Sequence, residues 1–263
     1  MKTVLITGAG SGIGKATAED LHSQGYHVLA TTETEEQACQ FQQEQDEEQR
    51  EHLKVFKLDI TSPEDREQVN NYDIDIIIHN AGVGYTGSLA DIPVSYIRHN
   101  FEVNLFATFE LNALILPQLI AKDAGKIIAI SSIAGRIPLP FFGAYNMTKH
   151  ALSVGIYDLR AELKRLGSNV SVSVIEPGAY HTGFNQAMIQ SRQEWMSESA
   201  VTKTFEPQLT QSQLEQFEKF ETQRLNGLVR CIRKTVQRSH PRFRVSAPWW
   251  QAWGVQVLRI IGI

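Results

Sequence analysis

Cysteine is scarce in this 263-residue chain: there are two, Cys39 and Cys231, far apart in sequence. Two distant thiols do not build a disulfide framework, so a reducing compartment, the cytoplasm, is the expectation. Metal signatures are missing as well. Eight histidines form no His-Glu-x-x-His, and no Cys-x-x-Cys occurs, so no metal site is expected. No run of about twenty apolar residues stands out, so no bilayer-spanning segment is expected. The apolar stretch after Lys2 is too short for a signal peptide. No long basic run precedes the C-terminal third, and the net charge of −4 gives no general attraction to nucleic acid.

What remains is an ordinary globular composition, 42% hydrophobic and 21% charged, long enough to bury a sizeable core as one unit over 1–263. Apolar runs at 3–7, 27–32, 53–59, 74–82, 125–132 and 169–177 read as strands, and 242–247 as a last one. Helical stretches lie between them, notably 93–122 and 143–166, while the strongly polar 34–52 reads as a solvated helix. Strands alternating with helices predict an α/β fold, a doubly wound parallel sheet covered on both faces. Beyond Gly178 the pattern loosens. Residues 183–240 read as polar helices, one of them from about Thr210 through 236, closing over a site as a lid. The Trp-rich stretch 248–263 is expected to pack on the body or on a partner subunit, with a membrane interface as the alternative.

The loop after the first strand, "TGAGSGIGKAT", is shaped for a phosphate. A triphosphate loop needs glycine at 9 and a hydroxyl residue at 16, and both places hold alanine. The loop fits Thr-Gly-x-x-x-Gly-x-Gly instead, through Thr7, Gly8, Gly12 and Gly14. Glycine there permits a tight turn and lets backbone amides approach a pyrophosphate, and the following helix offers unpaired N–H groups. A second constellation lies in "SSIAGRIPLPFFGAYNMTK". Tyr145 and Lys149 are four apart, on one face of a helix. An adjacent ammonium draws a phenol with a reference pKa near 10 downward, making a useful acid and base. Ser132, thirteen residues earlier at a strand end, is placed to hold a substrate oxygen.

Taken together these motifs resemble the short-chain dehydrogenase/reductase family, most similar to members acting on steroids and retinoids. The resemblance covers nearly all of 1–182 and is weaker over 183–263. It implies a Rossmann-type fold and an NAD(P)-dependent oxidoreductase acting on secondary alcohols or ketones of lipophilic character. It implies that Asn104, Ser132, Tyr145 and Lys149 are catalytic, and that Gly8, Ser11, Gly12, Ile13 and Gly14 hold the pyrophosphate. It assigns Asp59 and Ile60 to the adenine, Asn80, Ala81 and Gly82 to the segment after strand four, and Pro177, Gly178 and Thr182, with Tyr145 and Lys149, to the nicotinamide half. His79 stands where a second Asn is more common in the family, and Ala107 where glycine is. Glu33, at the end of strand two, faces the place where an extra phosphate would sit, and its charge favours NAD, with NADP left open. Ser132, Phe141, Phe142, Tyr180 and Phe184 are the expected substrate contacts. A dimer or tetramer pairing through 93–122 and 143–166 is implied. The rival reading is a nicotinamide-sensing regulator on the same fold without turnover.

Overall fold

The computed structural model describes residues 1–199 and 201–261. Ala200, inside the expected lid, and the last two residues of the C-terminal segment lie outside the described residues. Seven strands, β1 (Thr3–Ile6), β2 (His27–Thr32), β3 (Leu53–Lys57), β4 (Ile76–His79), β5 (Lys126–Ile130), β6 (Ser171–Pro177) and β7 (Arg244–Ala247), form one sheet in the order β3-β2-β1-β4-β5-β6-β7. Every pairing is parallel. β4 and β5 are buried along their whole length, which is why their sequences are apolar without alternation. The chain leaves β1 toward β2 and returns on its other side at β4. That reversal opens a crevice beyond the C-terminal strand ends.

Helices cover both faces. On one face α1 (Gly12–Ser23), α2 (Glu35–Glu44) and α11 (Asn226–Gln237) bury Leu21, Phe41 and Ile232 against β1, β2 and β6. On the other, α6 (Ala107–Ala121) and α7 (Gly143–Arg165) bury Leu111, Ile115, Leu152 and Ile156 against β4 and β5. Each fully buried side chain of this size contributes roughly 1.5–3 kcal/mol.

The expected strands are all present, with ends trimmed by up to two residues, three at the C-terminal end of β4. Three expected helices differ. The stretch 34–52 is two helices, α2 and α3 (Glu47–His52), because Asp46 and Gln49 form a reciprocal capping box that starts a new helix. The helix expected over 93–122 is broken in register. α5 (Val94–Phe101) passes through a wide π turn, Glu102–Phe106, into α6. This continuous 28-residue run, Val94–Ala121, is long and apolar enough to cross a membrane by length and composition alone, contrary to the expectation of no such segment. Its Val103, Ala107, Leu111, Ile115 and Leu119 are used in the core. The helix expected over 210–236 is two, α10 (Glu206–Phe220) and α11, and Glu221 is drawn inward between them.

Candidate active site

The loops that leave β1 to β6 at their C-terminal ends enclose one cavity of ≈ 810 Å³. Gly8, Ser11, Gly12, Ile13, Glu33, Asp59, Ile60, Asn80, Ala81, Gly82, Ser132, Phe142, Tyr145, Lys149, Pro177, Gly178, Tyr180, Thr182 and Phe184 all line it. Three expected residues do not. Gly14 and Asn104 stand behind the wall, and Phe141 turns away with φ of 67° while its carbonyl accepts from the Gly87 N–H.

The glycine end is built by close backbone approach. Gly8 has φ of 63°, and a Cβ there would lie 2.6 Å from the Ala81 Cα. A Cβ on Gly14 would meet the Gly8 carbonyl at 2.4 Å, so Gly14 serves the turn from beneath. Thr7 ties the loop to the one after β4: its hydroxyl accepts from the Asn80 and Ala81 amides at 3.0 and 3.1 Å. The Asn80 side chain returns two bonds, to the carbonyls of Thr7 and Gly8. α1 begins at Gly12, and the Ser11 side chain makes no capping bond, so the first-turn N–H groups face the cavity uncapped. Glu33 is exposed on the cavity rim at the end of β2, and its N–H donates to Gln37 at 3.1 Å. Asp59 accepts from both the N–H and the hydroxyl of Thr61.

The other end holds the titratable group. Tyr145 and Lys149 lie one turn apart on α7, with the Lys149 Nζ 5.7 Å from the Tyr145 ring centroid. Ser132 follows β5, caps the short turn Ile133–Gly135 by accepting from the Ala134 N–H at 3.1 Å, and lines the cavity with Tyr145. Lys149 donates to the Ile130 carbonyl at 3.2 Å. Asn104 lies in the π turn beside this group. Its amide accepts from the Val83 N–H and donates to the Val83 carbonyl and to Thr148. A Cβ on Gly82 would sit 3.0 Å from the Asn104 Oδ1 and 3.5 Å from the Lys149 Nζ, so glycine there keeps the three groups close.

The electrostatics differ from the sequence expectation. Burial pushes the Tyr145 hydroxyl upward, and Ser132 opposes it in part. Burial also lowers Lys149 to about 8. Desolvation disfavours the charged form of each, and this outweighs the downward pull expected on Tyr145 from Lys149. The burial comes from an apolar cluster that includes Phe142, Tyr145, Met188 and Phe184, closed by Phe217 of α10. The Phe142 and Phe217 rings are 5.8 Å apart, as are those of Tyr145 and Phe184. His79, in the family's less common place, is buried and hydrogen-bonded to Asn112 at 2.8 Å. Burial lowers it to about 4.

Several groups in or beside the cavity were not expected. Met188 follows Phe184 by one turn on α8 (Phe184–Gln190), a spacing that was available in the sequence. Phe217 gave no such signal, because it reaches the cavity only through the fold of the lid. Gln251 on α12 (Trp249–Ile260) accepts from the Ala179 N–H at 2.7 Å, and glycine at 178 leaves it room. Beneath the cleft the carboxylate of Glu176, fully buried at the end of β6, pairs with Arg136 just past the Ser132 turn. Ser246 and Arg244 of β7 complete that cluster, at 3.0 and 3.2 Å from Glu176.

Fold and cleft thus define a doubly wound α/β protein with a glycine-lined cradle at one end of its crevice and a buried Tyr–Lys pair beside a half-buried serine at the other. The short chain dehydrogenase family model matches residues 2–193, and the chain belongs to that family. It is 34% identical over 194 residues to the rat dehydrogenase/reductase SDR family member 7B, across 69% of this chain and 59% of that protein, so it spans somewhat over half the length of that relative. It is 30% identical over 264 residues to mouse retinol dehydrogenase 16, across 94% of this chain and 81% of that protein. A solved short chain dehydrogenase/reductase from Burkholderia phymatum, in complex with NAD, superposes with a TM-score of 0.82 at 20% identity, over 98% of this chain and 93% of that one.

Proposed function

We propose that this chain is an oxidoreductase that interconverts a lipophilic secondary alcohol and its ketone, using a bound nicotinamide dinucleotide. The dinucleotide supplies or takes the hydride when bound. One observation carries the reading: a buried tyrosine, backed by a lysine and lining one cavity with a serine, shares that cavity with a glycine cradle. The cradle fits a pyrophosphate, because Gly8 and Gly12 line it without side chains and the N–H groups at the start of α1 are left uncapped beside it.

In this reading Tyr145 is the general acid for carbonyl reduction, and burial keeps its proton in place until a substrate oxygen accepts it. Ser132 holds that oxygen beside the phenol. Lys149 carries the positive charge that steadies a developing phenolate, and Asn104 holds the Val83 turn and the α7 side chains around it. Alcohol oxidation runs the same groups in reverse. Gly8, Ser11, Gly12 and Ile13 hold the pyrophosphate with Gly14 beneath them, Asp59 and Ile60 take the adenine, and Asn80, Ala81, Gly82, Pro177, Gly178 and Thr182 line the nicotinamide half. Glu33 on the rim repels a 2′-phosphate, so NAD is the preferred cofactor and NADP the poorer one.

The substrate half supports a lipophilic ligand. Phe142, Tyr180, Phe184, Met188 and Phe217 line it, and residues 183–240 act as its lid within one catalytic unit, 1–263. Phe141 is left out of that contact set. Exposed Val94, Phe106, Val154 and Tyr157 on α5, α7 and the π turn support pairing of two copies through those helices. The test is nicotinamide absorbance with a panel of secondary alcohols and ketones, apolar and charged. Turnover confined to apolar members, faster with NAD, is expected. No turnover across the panel, or a preference for charged substrates, overturns the reading.

A further inference from the structure

We propose that the outer face of α12, with the adjoining end of α10, is a docking surface for an anionic lipid bilayer. At about 100° per residue, Trp249, Ile260, Trp253, Val257 and Trp250 fall within an arc of roughly 100° on α12. That arc is open: Trp249 is 77% exposed, Trp253 67% and Ile260 75%. The opposite side holds Gln251 and Val255, both buried against the body. The helix has therefore spent one face on the fold and leaves the other, three indoles among it, without a protein partner among the described residues. Indole combines a large apolar ring with one N–H donor, which suits the boundary between acyl chains and water.

The face sits at the rim of the cleft. Gln251 accepts from the Ala179 N–H there and donates to the Phe220 carbonyl at 2.9 Å. Phe220, 59% exposed at the end of α10, extends the apolar surface toward the lid.

Charge selects the occupant. Residues 222–263 carry eight Lys or Arg and no Asp or Glu, whereas the rest of the chain holds 29 acids against 17 bases. Arg224 and Arg259 are exposed, and no ion pair among the described residues uses either. A second copy meeting this face about a two-fold axis would bring a cationic segment against its like. An anionic bilayer offers the complementary charge and takes the indoles at once. The surface stands on α12 itself and does not depend on what the cleft turns over.

The experiment is co-sedimentation of the full chain with vesicles of phosphatidylcholine alone or mixed with phosphatidylglycerol. Binding to the mixed vesicles at least about tenfold tighter, and weakening with added salt, is expected. The double variant Trp249→Ala, Trp253→Ala should lose at least about tenfold in binding while unfolding at the wild-type temperature. Arg224→Gln with Arg259→Gln should erase much of the preference for phosphatidylglycerol and leave the residual binding to phosphatidylcholine. No binding to mixed vesicles overturns the proposal. So does a tryptophan variant that binds as the wild type does, or one whose only change, by gel filtration, is dissociation of an oligomer.

Discussion

Lys149 Nζ lies 5.7 Å from the ring centroid of Tyr145, and both side chains are buried. Burial favours the neutral form of each, so the lysine, at about 8, changes charge close to physiological pH while the tyrosine keeps its proton well above it. If Lys149 acts as an ammonium, carbonyl reduction falls as pH rises through about 8, and the pH–rate profile measures it. A profile flat to about pH 10 contradicts this role.

The same shift has a consequence for stability. Between about 8 and the ordinary lysine value of 10.5 the unfolded chain holds a proton that the folded chain has lost. Stability therefore rises with pH across that window, and the cost of burying the ammonium is fully present below it. Lys149→Met should unfold later in urea at pH 7, by on the order of 2 kcal/mol, while losing turnover. A variant less stable than the wild type would show that the bond to the Ile130 carbonyl outweighs desolvation.

His79 acts in the same direction, in a lower pH window. Its folded value is about 4 against an ordinary 6.5, so below 6.5 the unfolded chain binds the extra proton first. Stability is fully present above that value and is lost as pH falls toward about 4. Between pH 7 and pH 5 the wild type should lose about 2 kcal/mol more than His79→Asn, read from urea unfolding of both. Equal losses would mean that the imidazole is protonated in the folded protein.

Glu176 and Arg136 join the end of β6 to the turn that carries Ser132. Arg136→Ala leaves the buried carboxylate only the half-exposed Arg244 and the Ser246 hydroxyl, so it should cost less than the roughly 3–5 kcal/mol of a fully stranded charge, read from urea unfolding. Glu176→Gln with Arg136→Met, which removes both charges, should recover most of that loss. Failure of the double variant to recover would place the effect in packing rather than in charge.

In the proposed reading, Glu33 on the cavity rim is the group that discriminates between the two nicotinamide cofactors. Glu33→Arg should shift the ratio of kcat/KM for NADP over NAD upward by at least about tenfold, since it exchanges repulsion for an ion pair. An unchanged ratio in steady-state kinetics would show that Glu33 faces solvent when the cofactor is bound.

Much of this was legible in the residues. Strands such as "IIIH" are apolar throughout because both faces are covered, and their order follows from alternation with helices. Glycines 8, 12 and 14 and the Tyr145–Lys149 spacing placed the two ends of the cleft, since each motif is local. What was not legible depends on contacts between distant segments. The direction of the Tyr145 shift follows from burial within a cluster closed by Phe184, Met188 and Phe217, which the lid brings from far along the chain. The break between α10 and α11 follows from Glu221, whose carboxylate accepts from Asn185 and Gln186 and pairs with His181. No periodicity in 210–236 carries that information. The openness of α12 was likewise not legible, because its Trp-rich stretch reads first as packed on the body or on a partner, with a membrane interface as the alternative.

The central claim is that the Tyr145 hydroxyl moves the proton while the cradle holds the cofactor independently. Tyr145→Phe removes one oxygen and leaves the ring in its cluster, so dinucleotide affinity and turnover measured on the same preparation test it most directly. The account predicts an unchanged Kd for NAD and turnover lower by at least about 10³-fold. Turnover within a few fold of wild type, with the same Kd, would contradict it.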